Sequence, residues 1–136
     1  MTSARSIVIA EPVRTAIGTF DGSLKDITAP DLGAVAIGAA IKHAGLEPEE
    51  IGTAVMGQVI QAGAKMNPAR QATVHGGLPV TVPAFTVNRV CGSGAQAIVS
   101  AAQEILVGSV DTAVAGGMEN MDQAPYLIPR GRWGCR

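Results

Sequence analysis

Four short apolar runs, at residues 6–10, 54–60, 84–90 and 111–115, alternate along the chain with three segments of helical spacing. Parallel strands need a crossover between them, usually a helix, so this order builds a parallel sheet covered by helices. The runs are apolar at successive positions instead of every second one. Strands buried on both faces read this way. The expectation is an α/β fold with a mostly parallel sheet flanked by helices.

The helices have readable limits. Pro30 and Asp31 open the first, with Leu32, Val35, Ala36, Ala39 and Ala40 as its expected buried stripe and Gly45 as its stop. Residues 47–50 read as a turn or short helical start. After a loop at 61–67, Pro68 takes the first helical position and Gly76-Gly77 ends a short helix at 68–75. The third helix spans 94–107. Its expected stripe is Ala95, Ile98, Val99, Ala102 and Leu106, with Gly108 at the C-cap. Residues 11–23 read as a loop, and the chain from Asn120 onward as irregular. Residues 1–120 are expected to form an incomplete domain, and 121–136 the start of another region.

Composition narrows the function. Of 136 residues, 47% are hydrophobic but only 3% aromatic, and there are 17 glycines. A core of small aliphatic residues packed around glycine suits helix–sheet contact and poorly suits base stacking. With a net charge of −1 there is no basic field for a phosphate backbone, and Arg130, Arg132 and Arg136 read as a solvated cluster. No nucleic-acid partner is expected. Two cysteines make no disulfide framework, and no Cys/His spacing fits a metal site. The first ten residues do not read as a signal peptide, and no segment has the length of a membrane span. A cytoplasmic, reduced setting is the expectation.

Cys91 lies where the third strand-like run meets the third helix, in Asn88-Arg89-Val90-Cys91-Gly92-Ser93-Gly94. A helix N-terminus carries unpaired N–H groups and partial positive charge, which favour a thiolate over a thiol. Gly92, Ser93 and Gly94 put little bulk around the sulfur, so an acyl donor can approach. Backbone N–H groups of this turn, that of Cys91 included, are candidates to face an oxyanion. The alternative is a small buried hydrophobe. No partner base is evident. His43 and His75 each close a helix and read as surface histidines favoured by the helix dipole.

A second chemistry competes for the same turn. The run Gly92 to Ala97 fits G-x-G-x-x-A between a strand and a helix, as a dinucleotide-binding turn requires, and Glu119 stands near the end of the next strand. Against it, the turn lies in the third strand–helix unit, Glu119 follows a loop of its own, and Cys91 gains no role.

Taken together, the motifs resemble the N-terminal part of a thiolase over nearly the whole length. Val13-Arg14-Thr15-Ala16-Ile17-Gly18 resembles the family's opening stretch, with Phe20 and Gly22-Ser23-Leu24 after it. Met56-Gly57-Gln58-Val59 with Gln61-Ala62-Gly63 resembles its MGxVxQAG segment, and Asn67-Pro68-Ala69-Arg70-Gln71 its NPARQ helix start. Asn88 to Gly94 resembles the NxxCGSG nucleophile motif. Ala115 to Met121 and Ala124-Pro125-Tyr126 resemble AGGMExMS…APY.

The resemblance implies a thiolase-like layered fold, represented by its incomplete N-terminal half. It implies an acetyl-CoA acetyltransferase or 3-ketoacyl-CoA thiolase, working in fatty acid metabolism. Cys91 would be the acyl-thioester nucleophile, with Asn88, Gly92, Ser93 and Gly94 as its active-site loop. Coenzyme A thioesters would be substrates and no cofactor would be resident. Gln61, Asn67 and Arg70 would lie near a subunit interface of a homodimer or tetramer, although Arg70 also reads as a helix-surface salt bridge.

Departures from the family are specific. Its priming histidine sits in a GHP-type motif and its second cysteine in a CxG-type motif. Here His43 precedes Ala44, His75 precedes Gly76, and Cys135 has no glycine two places on. Asp122 stands where the family commonly has a serine. Residues 121–136 would begin the CoA-binding loop region. The expectation is that the thiolase remainder is a second chain or part of a parent polypeptide. A non-catalytic thiolase-like partner chain is the other open reading. A parallel sheet with a free edge is expected to aggregate or to need that partner.

Overall fold

The computed structural model describes residues 6–135. Its frame is a parallel sheet of β1 (Thr53–Gly57), β2 (Ala84–Val87) and β3 (Ala113–Gly117), ordered β2-β1-β3. Helices α1 (Ala29–Ala44), α2 (Pro68–His75) and α3 (Ser93–Leu106) connect and cover it. Ala54 pairs with Ala84 on one side of β1 and with Val114 on the other.

Side chains on β1 alternate between two cores. Met56 points to α1 and α2, where Ile37, Ile41, Ala69, Ala72 and Leu78 close around it. Val55 points the other way, against Ala97 and Ala101 of α3. All five β1 residues are buried. That explains the unbroken apolar run in the sequence.

The α/β expectation holds, and so do the three helices. Helix α2 has the limits read from Pro68 and Gly76, because Asn67 caps it and proline fixes its first turn. Three expectations need correction. Residues 6–10 form no strand among the described residues, and Val8 and Ile9 are exposed. Composition supplies the side chains of a strand but not a hydrogen-bonding neighbour, and without a ladder there is no strand. Strands β1 and β2 stop three residues short of their expected ends, and β3 runs two residues later at each end, Ala113–Gly117 in place of 111–115.

The third correction concerns which face is buried. On α1 the core takes Ala29, Gly33, Ala34, Ile37 and Ile41, while Val35 of the expected stripe is exposed. On α3 the core takes Ser93, Ala97 and Ala101. The expected stripe faces outward, with Ile98 at 41%, Val99 at 49% and Leu106 at 52% exposure. On α1 the buried face still carries two large residues, Ile37 and Ile41, whereas α3 buries only small ones. The sheet wants small residues on the helix that lies against it, because close approach gains more contact than bulk does. At the end of α3, Gly108 adopts φ +80° one place beyond the cap at Val107.

Candidate active site

Two glycines let α3 begin directly over the carboxyl end of the sheet. A Cβ on Gly57 would sit 2.4 Å from the carbonyl carbon of Ser93 and 2.7 Å from the nitrogen of Gly94. A Cβ on Gly117 would lie 3.1 Å from the Cα of Gly94. Only hydrogen fits in the first place. Glycine inside a strand is the sequence signal for such an approach, and it was legible at Gly57.

The strand exits are laced together at that edge. Gly57 carbonyl accepts from Met118 N–H at 3.0 Å, and Gln58 N–H donates to Val87 carbonyl at 3.2 Å. Glu119 carboxylate accepts from Val59 N–H at 2.7 Å and Ile60 N–H at 3.3 Å. Open α/β sheets bind ligands outside the carboxyl ends of their strands, which is where Cys91 stands.

Cys91 is exposed, in the turn between β2 and α3. The turn is tight: Gly92 N–H donates to Arg89 carbonyl and Ser93 N–H to Val90 carbonyl, both at 3.0 Å. Buried Ser93 closes it from inside. Its hydroxyl donates to Val90 carbonyl at 2.6 Å and accepts from Arg89 N–H at 2.9 Å. Val90 has φ +49°. A β-branched residue there is an outlier, and such a conformation stores on the order of 1–3 kcal/mol. Strain next to the candidate nucleophile is the pattern that functional turns show. The sequence gives no sign of it, because valine ordinarily avoids this region.

Helix α3 begins without a cap. Gly92 offers no side-chain bond, and no acidic residue stands in the first turn. The positive end of the helix dipole is therefore unspent beside Cys91.

The other sequence candidates are placed as follows. Asn88 donates to Val59 carbonyl at 2.9 Å and accepts from Val90 N–H at 3.0 Å. Gly92 and Gly94 lie in and just beyond the turn. Gln61, Asn67 and Arg70 stand elsewhere. Gln61 donates to Gln58 carbonyl at 3.1 Å. Asn67 caps α2 and donates to Ala84 carbonyl at 2.9 Å. Arg70 makes no salt bridge among the described residues; its guanidinium donates to the Val80 and Val82 carbonyls at 2.6 Å each. Asp122 accepts from Asp21 N–H at 2.7 Å. His75 bonds Asp31 at 2.9 Å, between α2 and α1. No hydrogen bond joins either histidine to Cys91 among the described residues.

Glu119 bears on the nucleotide reading. Both carboxylate oxygens are engaged by the 59–60 backbone, so the acid proposed for a ribose is already occupied. A recess of about 420 Å³, between the 13–20 loop and residues 117–122, is not lined by Cys91. Among the described residues no cluster of His, Cys, Asp or Glu could hold a metal ion. No helix among them is long and apolar enough to cross a membrane.

Known proteins agree with this frame. The sequence model for the thiolase N-terminal domain matches residues 7–136. An acetyl-CoA acetyltransferase of Cupriavidus necator is 52% identical over 130 residues, which is 96% of this chain and 33% of that protein. Beta-ketothiolase BktB of the same organism is 51% identical over 97% of this chain and 34% of its own length. The crystal structure of the Bacillus anthracis acetyl-CoA acetyltransferase superposes with a TM-score of 0.87 at 43% identity, over 91% of this chain and 32% of that one. The chain thus spans about a third of the length of the curated relatives it matches.

Proposed function

The chain belongs to the thiolase family, and from that premise we propose that it carries the acyl-accepting cysteine of a thiolase-type acyltransferase. The observation that supports this most directly is the setting of Cys91: exposed, beside a strained residue, ahead of an uncapped helix.

The chemistry follows from that setting. Cys91 Sγ, as thiolate, attacks the carbonyl carbon of an acyl-CoA. A new C–S bond forms, the bond to the CoA sulfur breaks, and CoA leaves as a thiol after taking a proton. In the condensing direction, the α-carbanion of a second acetyl-CoA attacks the acyl-cysteine. A C–C bond forms and Cys91 is released. In the cleaving direction, Cys91 attacks the 3-keto carbon of a 3-ketoacyl-CoA and the C–C bond breaks. The departing α-carbanion takes a proton and leaves as acetyl-CoA, and free CoA then collects the acyl group from Cys91. Splitting one hard transfer into two easier ones is the gain of covalent catalysis. The Cys91 backbone N–H, which is not among the turn's own donors, stabilises the tetrahedral oxyanion. Gly92 and Gly94 leave room for the thioester, and Ser93 holds the turn shut.

The remaining groups come from the polypeptide that corresponds to the other two thirds of the relatives, as a second chain or a parent polypeptide. It supplies the base that takes the cysteine proton and the group that moves the α-proton. Coenzyme A thioesters are substrates, and no resident cofactor is invoked. Gln61, Asn67 and Arg70 order the segment that meets another subunit in a homodimer or tetramer. Residues 121–136 begin the region that holds CoA. The setting is the cytoplasm and the process fatty acid metabolism.

The test is denaturing intact-mass spectrometry with and without acetyl-CoA. An acetyl adduct that disappears in Cys91→Ala is the expected result, with acyl transfer falling on the order of 10⁴–10⁶-fold, as for other covalent nucleophiles. A folded protein, with its complementary polypeptide present, that gains no adduct is instead a non-catalytic partner, and the proposal fails.

A further inference from the structure

Glu119 has been left without a function: its carboxylate is occupied by backbone, not by a ligand. What it holds is specific. Val59 N–H and Ile60 N–H both donate to it, at 2.7 and 3.3 Å. The same Val59 turns its carbonyl the other way and accepts from Asn88 at 2.9 Å. Asn88, through its side-chain oxygen, accepts from Val90 N–H at 3.0 Å. A path therefore runs from the exit of β3, through Val59 and the Val59–Ile60 peptide after β1, to the left-handed residue that precedes Cys91.

We propose that Glu119 and Asn88 are positioning residues for Cys91, forming a brace that holds Val90 at positive φ and so fixes where the sulfur is presented. Three observations support it. Val90 has no conformational reason of its own to stay at φ +49°. A strained residue persists only where its surroundings over-determine it. Its surroundings do so here from both sides. Ser93 Oγ and Ser93 N–H hold its carbonyl, at 2.6 and 3.0 Å, and Asn88 holds its N–H. Ser93 is fixed from within by burial in α3. Asn88 is exposed and owes its fixed end to Val59. Val59 in turn lies beyond the end of β1, outside the ladder, and Glu119 carboxylate is the group that anchors its N–H. Remove the carboxylate and the outer half of the support loses its anchor.

The inference rests on reading Cys91 as the acyl acceptor, and its test includes a measurement free of acyl chemistry. In the full chain, with its complementary polypeptide, two rates are measured at Cys91: acylation by acetyl-CoA and alkylation by iodoacetamide. Cys135 serves as internal reference for alkylation, since it too is exposed. Alkylation needs an accessible sulfur, whereas acyl transfer needs an aimed one. Misplacement of about 1 Å is enough to lower such a rate about 10²-fold.

The expected result for Asn88→Ala and Glu119→Ala is a fall in acylation of that order while alkylation moves only a few-fold. Glu119→Gln keeps one acceptor for Val59 N–H and restores part of the loss. Val90→Gly removes the strain, because glycine takes positive φ freely. Asn88→Ala should then lower acylation much less in the Val90→Gly background than alone. Equal falls in both rates, or strictly additive effects of Asn88→Ala and Val90→Gly, overturn the proposal. If the unmodified protein is never acylated, the acyl-acceptor reading fails by itself. The brace is then judged by hydrogen exchange of the Val90–Ser93 amides. Faster exchange there in both alanine variants, with α1 unchanged, supports it, and unchanged exchange sinks it.

Discussion

At the start of α1, Thr28 accepts from Asp31 N–H at 3.2 Å and donates to the Asp31 carboxylate at 2.6 Å. At the start of α3, Gly92 has no side chain to offer and no acid follows. The two helices are of similar length and lie on opposite sides of the same sheet. One closes its N-terminus with its own residues; the other leaves it open beside an exposed cysteine. With glycine at the cap, the α3 end forgoes a few tenths of a kcal/mol that a good side-chain cap supplies. The difference teaches where this fold gives up stability. The α1 end is closed by its own side chains, and the α3 end leaves its dipole uncapped beside Cys91, as the proposed acyl transfer would use it.

The largest effect is expected from moving α3 off the sheet. Gly57→Ala places a methyl within 2.7 Å of three backbone atoms of Ser93 and Gly94. Overpacking of this kind costs about 1–3 kcal/mol, and backbone cannot rotate away as a side chain can. The expected outcome in thermal or denaturant melts is a loss at the upper end of that range. Acyl transfer to Cys91 should fall with it even under conditions where the protein stays folded.

A smaller effect is expected at the closed end. Thr28→Ala should lower stability by about 1 kcal/mol and leave acylation of Cys91 unchanged. The same cap has a pH signature. The Thr28 hydroxyl first, and then His75, hold the Asp31 carboxyl below its ordinary range. A carboxylate with a depressed folded-state value contributes stability above the unfolded-state value, about pH 3.9. It loses that contribution as pH falls through the folded-state value. Asp31→Asn should therefore lose a stability increment at neutral pH that shrinks toward zero in acid. Melts between pH 2 and 7 would show the reverse sign if the assignment were wrong.

The smallest change in stability, and the most telling, comes from closing the open end. Gly92 has φ −88°, which any residue adopts, and a Cβ there meets Arg89 carbonyl at 3.3 Å. Gly92→Asp should add a cap and gain a few tenths of a kcal/mol at most. The added carboxylate would stand beside the sulfur and satisfy the donors that chemistry needs. Acylation of Cys91 is expected to fall although the protein is no less stable. A variant that gained stability and kept its acylation rate would remove the distinction between the two helix ends.

How much of this was legible in the chain differs by kind of information. Local chemistry read well. Asn67-Pro68 and Gly76 gave both ends of α2, and the strand–Cys–Gly–Ser–Gly–helix order placed Cys91 at the turn where it stands. Facing read badly. Val35, Ile98 and Val99 looked like core because they are large, yet α1 buries Ile37 and Ile41 and the sheet takes Ala97 and Ala101 of α3 against it. Pairing was illegible for residues 6–10, whose composition is that of a strand without a partner. The brace was half legible. Glu119 stood out as an acid after β3, but its target is backbone amides, and backbone carries no residue type to search for. Nothing in Val90 announces a positive φ.

The order of the strands also sets a schedule. The bond between Asn88 and Val59 spans 29 residues, and the contact of Thr53 with Pro83 at the other end of β1 spans 30. Glu119 reaches Val59 across 60. Contacts closer in the chain close faster. On a ribosome adding about 5–20 residues per second, β1 and β2 are both made for roughly 1.5–6 s before β3 and Glu119 exist. During that interval one edge of β1 is bare and the elbow before Cys91 has only its inner support. A nascent chain of this kind acquires the supports of the turn around Cys91 in sequence, and the carboxylate that holds Val59 arrives last.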